Sequence, residues 1–161
     1  MFLLPALIFQ QWDNAPIEFS RLRPDQEVVL DYRSRGCFRN VAFVFHFQRQ
    51  PGTDGLKATV LRRPGQRFGS VDLNRRQVRR LDHLLKYYRE HDRGNCTTVD
   101  TIRVELRERG VTVRTESFVS AQCSLYDTPE ICRQKKVPYP DLLPPMSIVE
   151  AARKKEAKQP R

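Results

Sequence analysis

TIRVELRERGVTVRTESFV, running from Thr101 to Val119, alternates apolar and charged side chains over its first half. Ile102, Val104 and Leu106 are apolar; Arg103, Glu105 and Arg107 are charged. A period of two is the signature of a strand with one buried face. Val111 to Val119 reads as a second strand. Gly110 supplies the positive φ of a tight reversal, so Arg109-Gly110 is the expected two-residue turn. That turn sets Glu108 opposite Val111, Leu106 opposite Val113, Val104 opposite Thr115 and Ile102 opposite Ser117. On the other face it sets Arg103 against Glu116 and Glu105 against Arg114, two pairs of opposite sign. A slip of one residue would turn those charges onto the apolar face.

The same register carries Cys96 to Cys123. The expectation is a disulfide at the foot of the hairpin, since bridging requires close Cα atoms. Two buried free thiols acting as small hydrophobes are the alternative. Zinc is disfavoured because no CxxC or CxxH spacing occurs. Cys37 and Cys132 remain as a second pair by elimination, while Cys123–Cys132 would close a short local loop. Sequence does not choose between them. A bridge implies an oxidising compartment, periplasmic or extracellular; four reduced thiols imply the cytoplasm.

Outward from the hairpin, Glu27 to Tyr32 (EVVLDY) reads as a strand and Arg33 to Arg39 (RSRGCFR) as a basic loop. Asn40 to Gln48 (NVAFVFHFQ) is the strongest strand signal, with Val41, Phe43, Phe45 and Phe47 on one face. Leu56 to Arg63 returns as a third strand, and Arg63 to Ser70 reads as a loop. A helix follows, with Asn74 as N-cap and Gln77 as capping-box partner. Val78, Leu81, Leu84, Leu85 and Tyr88 form its buried stripe. Arg75, Arg76, Arg79, His83, Lys86 and Glu90 lie opposite, and Gly94 marks the stop. The order β-β-β-α-β-β gives an α+β fold: an antiparallel sheet of about five strands with one amphipathic helix packed on it.

Three regions are expected. Residues 1–20 carry an apolar run, Phe2 to Phe9, too short to span a bilayer and similar to part of a signal-peptide core. Residues 21–132 form one α+β domain. Residues 133–161 form a Pro-rich, basic extension whose Ser147 to Lys158 stretch could be helical but shows little apolar face. The chain of 161 residues is long enough for a real core, and its formal net charge is +10. Residues 133–161 hold eight basic and three acidic groups; the rest hold 21 and 16. Half the excess therefore rides on the extension.

Chemistry-bearing motifs are scarce. His46 sits mid-strand with no nucleophile or carboxylate near it in sequence. His83 lies among cations, and His91 at the helix end. No GxSxG elbow, Walker loop or dinucleotide glycine pattern occurs. The reading is therefore non-enzymatic, with no cofactor and no metal. Partner-binding candidates are the helix cations Arg75, Arg76, Arg79 and Lys86 and the loop cations Arg33, Arg35 and Arg39. The Phe43, Phe45, Phe47 ladder is expected in the core, not as a base-stacking platform. The function these readings favour is an exported binding or interaction domain of envelope type, such as an inhibitor or immunity-like protein. Its partner would be a protein with an acidic surface, and no transmembrane helix is expected. The runner-up is an intracellular basic accessory protein that binds nucleic acid. Oligomeric state is not legible.

Overall fold

The computed structural model describes residues 15–36, 39–90, 98–121 and 141–157, with the side chain of Arg39 left aside. A short 3-10 turn, Phe19–Arg21, precedes four strands: β1 Gln26–Gly36, β2 Arg39–Arg49, β3 Leu56–Arg62 and β4 Gln66–Leu73. Helix α1 spans Arg75–Glu90, β5 Val99–Glu108 and β6 Val111–Ser120; helix α2 spans Pro145–Glu156. The strands form one sheet in the order β4-β3-β2-β1-β5-β6, and every pairing is antiparallel. The class is α+β, with six strands and two helices among the described residues where the sequence suggests about five and one. No helix among the described residues is long and apolar enough to cross a membrane.

The extra strand is β4. Its sequence, QRFGSVDL, lacks clean alternation because its register shifts opposite Val60 and Leu61. That irregularity hides the strand from a period-two test. The extra helix is α2. Its buried residues are Pro145, Ile148, Val149 and Ala152, a narrow stripe that suffices because it lies on β4. Gly69 marks the closest approach: a Cβ there would come within 3.2 Å of the Ala152 carbonyl. Leu142 and Leu143 are also buried, so residues 141–157 belong to the core.

Alternation along the strands splits the sheet into two faces. Val28, Leu30 and Tyr32 of β1, Phe43, Phe45 and Phe47 of β2, and Ile102 and Val104 of β5 are all buried on the inner face. The α1 stripe meets them: Val78, Leu81, Leu84, Leu85 and Tyr88, the five residues its periodicity picks out. Tyr88 stacks on Phe118 of β6 at 6.0 Å, and Phe19 meets Phe47 edge-on at 4.8 Å. Ile17 and Phe19, which precede the domain start expected at residue 21, are also core. The opposite face of the sheet carries no helix among the described residues.

The hairpin departs from its expected register. The Arg109-Gly110 turn is present, with φ of 48° and 81°, and Glu108 pairs with Val111. Between Leu106 and Arg107 the register then shifts, because β6 carries one extra residue, Val113. Beyond it Leu106 pairs with Arg114, Val104 with Glu116, Arg103 with Ser117 and Ile102 with Phe118. Arg114 and Glu116 thus turn to the inner face, which simple alternation argues against. They are tolerated there because they are satisfied. Glu116 accepts hydrogen bonds from the Ile17 N–H and, at 2.8 Å, from the Arg89 guanidinium; Arg114 donates to the Ala15 carbonyl. The alignment that set Cys96 against Cys123 loses its premise with this shift. The pairing itself lies outside the described residues, as do Cys37, Cys132 and His91.

Candidate interaction surfaces

Helix α1 begins with a complete capping box. The Asn74 side chain accepts from the Gln77 N–H at 3.0 Å, and the Gln77 side chain accepts from the Asn74 N–H at 2.9 Å. From that start, the helical repeat sorts six cations into two sets. Arg80 and Arg89 flank the buried stripe and tie the helix to its surroundings. Arg80 meets Asp141 at 2.8 Å and donates to the Leu142 carbonyl; Arg89 holds Glu116 and the Ile17 carbonyl. Arg75, Arg76, Arg79 and Lys86 stand exposed on the outer side, with His83 among them. Arg75 lies 3.7 Å from Asp54 and Lys86 3.9 Å from Glu90, both loose, solvated pairs. Arg76 and Arg79 have no ion-pair partner among the described residues.

The helix also carries few counter-charges. Asp82 spends its carboxylate on the N–H groups of Phe19 and, at 3.2 Å, Ser20. The first turn holds no acidic residue. Arg75 and Arg76 therefore sit at the positive end of the helix dipole, an unfavourable placement. The result is a convex cationic stripe about 16 Å long, at 1.5 Å per residue.

The open sheet face is charged in a different way. Arg33 and Arg35 lie near the C-terminal end of β1, not in a loop, and Arg39 begins β2. Asp31 accepts from Arg63, with Arg33 at 3.6 Å. Glu105 accepts from Arg107 at 2.6 Å, with the Arg103 guanidinium 3.0 Å away. His46 meets Glu27 at 2.9 Å through Nδ1. Asp31 and Glu105 are thus clamped by guanidiniums, Glu27 is paired with an imidazole, and Arg35 is left with no ion pair among the described residues. The hydrogen bond from Arg107, with Arg103 close by, holds the Glu105 carboxyl below the usual glutamate range against the opposing effect of burial. At the edge, the Lys155 ammonium hydrogen-bonds Asp72 at 2.8 Å and holds its carboxyl below the usual range.

The two cationic clusters expected from sequence thus lie on opposite sides of the molecule, α1 over the inner face and Arg33 and Arg35 on the open one. They do not form one surface. Sequence also missed Glu27 as the partner of His46. The signal was the cross-strand register of β1 and β2, where Glu27 pairs with Gln48, two residues from His46. The phenylalanine ladder is buried, as expected, and no Phe, Tyr or Trp among the described residues stands on the open face. Tyr32 donates to Asp100 at 3.2 Å within a buried polar row of Ser34, Asp100 and Ser120, which sit side by side on three strands. Among the described residues no group of three His, Cys, Asp or Glu side chains is arranged to hold a metal ion. No protein-family model matches the chain, and neither a curated protein nor a solved structure matches it.

Proposed function

We propose that this chain is a non-catalytic binding domain that engages an acidic protein surface through the outer side of α1. The observation that carries this reading is the division of the helix cations. Arg80 and Arg89 are consumed by the fold, whereas Arg76 and Arg79 stand exposed beside Arg75 and Lys86, with no ion-pair partner among the described residues. Such a stripe raises the encounter rate with a negatively charged partner and orients it. Its convex, helical shape suits an extended surface and offers no enclosed volume for chemistry. An inhibitor or immunity-like role in an envelope compartment is the setting we favour. The compartment follows from the state of Cys37, Cys96, Cys123 and Cys132, which a thiol count with peptide mapping reads directly.

Nucleic acid is the competing partner class. A reader of single strands uses exposed aromatic rings, and the phenylalanines of β2 are spent in the core. Contact would then rest on phosphates alone and weaken steeply with salt.

The test is a titration of labelled polyglutamate and of a mixed-sequence DNA duplex, at physiological salt and above. The expected result is polyglutamate binding that falls by about tenfold or more in Arg76→Glu/Arg79→Glu, with weaker DNA binding throughout. Tighter DNA binding with a steep salt slope would move the partner to nucleic acid. Binding to neither probe, or binding indifferent to the charge reversal, would make the stripe a solvated surface and end the proposal.

A further inference from the structure

The twist of the sheet leaves an open groove of about 460 Å³ on the face away from the helices, at the end where β1, β5 and β6 lie side by side. Arg33, Arg35 and Arg103 line it, with Thr101, Ser117 and Val119 between them. The pairing fixes their relative places: Arg33 is opposite Thr101, which is opposite Val119, and Asp31 is opposite Arg103, which is opposite Ser117. Arg33 beside it, Arg103 along β5 and Arg35 diagonally across are therefore the cationic strand neighbours of Thr101.

We infer that this groove holds a small organic anion, its acidic head on the arginines and its apolar body along Val99 and Val119. Three features support the assignment. Cations outnumber carboxylates in the lining: Asp31 is its one carboxylate, held by Arg63 with Arg33 at 3.6 Å, while Arg103 leans on Glu105 at 3.0 Å. Arg35 has no ion pair, and the hydroxyls of Thr101 and Ser117 have no hydrogen-bond partner among the described residues. Val119 is 54% exposed, an apolar side chain in the midst of polar ones. Guanidinium forks and hydroxyl donors are the groups that recognise carboxylate, sulfonate or phosphate oxygens. The volume suits a small molecule, whereas the α1 stripe has no concavity to enclose one. The inference stands apart from the proposed use of α1, on the other side of the sheet.

The test is a titration of the full chain with anilinonaphthalene sulfonate, an anion on an apolar ring system, followed by fluorescence and by amide chemical shifts. The expected result is saturable binding with the largest shifts at Thr101, Arg103, Ser117 and Val119. Arg35→Gln should weaken it about tenfold, with Arg103→Gln milder because Glu105 already engages that guanidinium. Arg35→Gln should keep the wild-type unfolding midpoint, because the Arg35 side chain makes no ion pair or hydrogen bond among the described residues. Lys154→Gln removes the same charge from α2 and should leave affinity unchanged. Shifts centred instead on Ile17, Leu106 and Val113, which line a cleft at the far end of β5, would overturn the assignment. So would equal affinity in Arg35→Gln and the wild type, or failure to saturate.

Discussion

The two faces of the sheet are built from neighbouring residues of the same strands, yet they are held by different physics. On the inner face, Phe43, Phe45 and Phe47 lie under α1 and α2, and stability comes from apolar area removed from water. On the open face, Val44 and His46 of the same strand sit half-buried among clamped carboxylates. Charge there is local and largely neutralised, worth little to stability pair by pair. The outer side of α1 is a third case, cationic and only loosely compensated among the described residues. Two surfaces of similar sequence charge thus differ in what they offer a partner, because pairing, not composition, leaves a cation free.

Breaking the inner face should cost most. Phe45→Ala is expected to lose about 3–5 kcal/mol by opening a core cavity. Its neighbour Val44→Ala, on the open face, should lose less than about 1 kcal/mol. Equal losses in urea denaturation would erase the distinction between the faces. Next comes the cover over β4. Ile148→Ala should cost about 2–4 kcal/mol, because the residue is buried against the sheet. A near-neutral result would show that α2 is a passenger.

The open face should show itself through acid. The Glu105 carboxyl is held below its unfolded value, so its contribution is fully present above the usual glutamate pKa. That contribution is lost as pH falls through the lower folded value. Asp72, paired to Lys155, follows the same sign and loosens α2 in the same acid window. Denaturation midpoints across mildly to strongly acid pH should fall less steeply in Glu105→Gln than in the wild type. The smallest effect is opposite in sign. Arg75→Glu/Arg76→Glu places acid at the positive end of the α1 dipole and should gain about 0.3–1 kcal/mol at low salt. The same change should weaken polyglutamate binding, separating stability from recognition in one variant.

The sequence made the inner face legible because burial leaves a periodic trace. The five stripe residues of α1, the Asn74–Gln77 cap, the β2 ladder and the Arg109-Gly110 turn all follow from spacing and turn chemistry. β4 and α2 escaped because their packing is irregular or narrow: Gly69 is chosen for the approach of Ala152, not for alternation. The cationic stripe of α1 was readable, but its division into structural and free arginines was not. Arg80 and Arg89 find Asp141 and Glu116 at sequence separations that no local pattern encodes. The groove among Arg33, Arg35 and Arg103 was hidden for the same reason, since it exists only through the register of three strands.

The extra residue in β6 has a consequence for how the chain tolerates changes in length. Val113 is accommodated without a partner of its own, while the pairs on either side of it are already in step. A single-codon deletion of Val113 should leave Glu116 against Val104 and within reach of Arg89, and the protein should fold. A codon inserted after Thr115 has no such slack to absorb it. It would invert the faces of every residue up to Ser120, driving Phe118 into solvent and Ser117 against Tyr88. Along this strand, then, spelling errors of one residue are either silent or ruinous, depending only on which side of the bulge they fall.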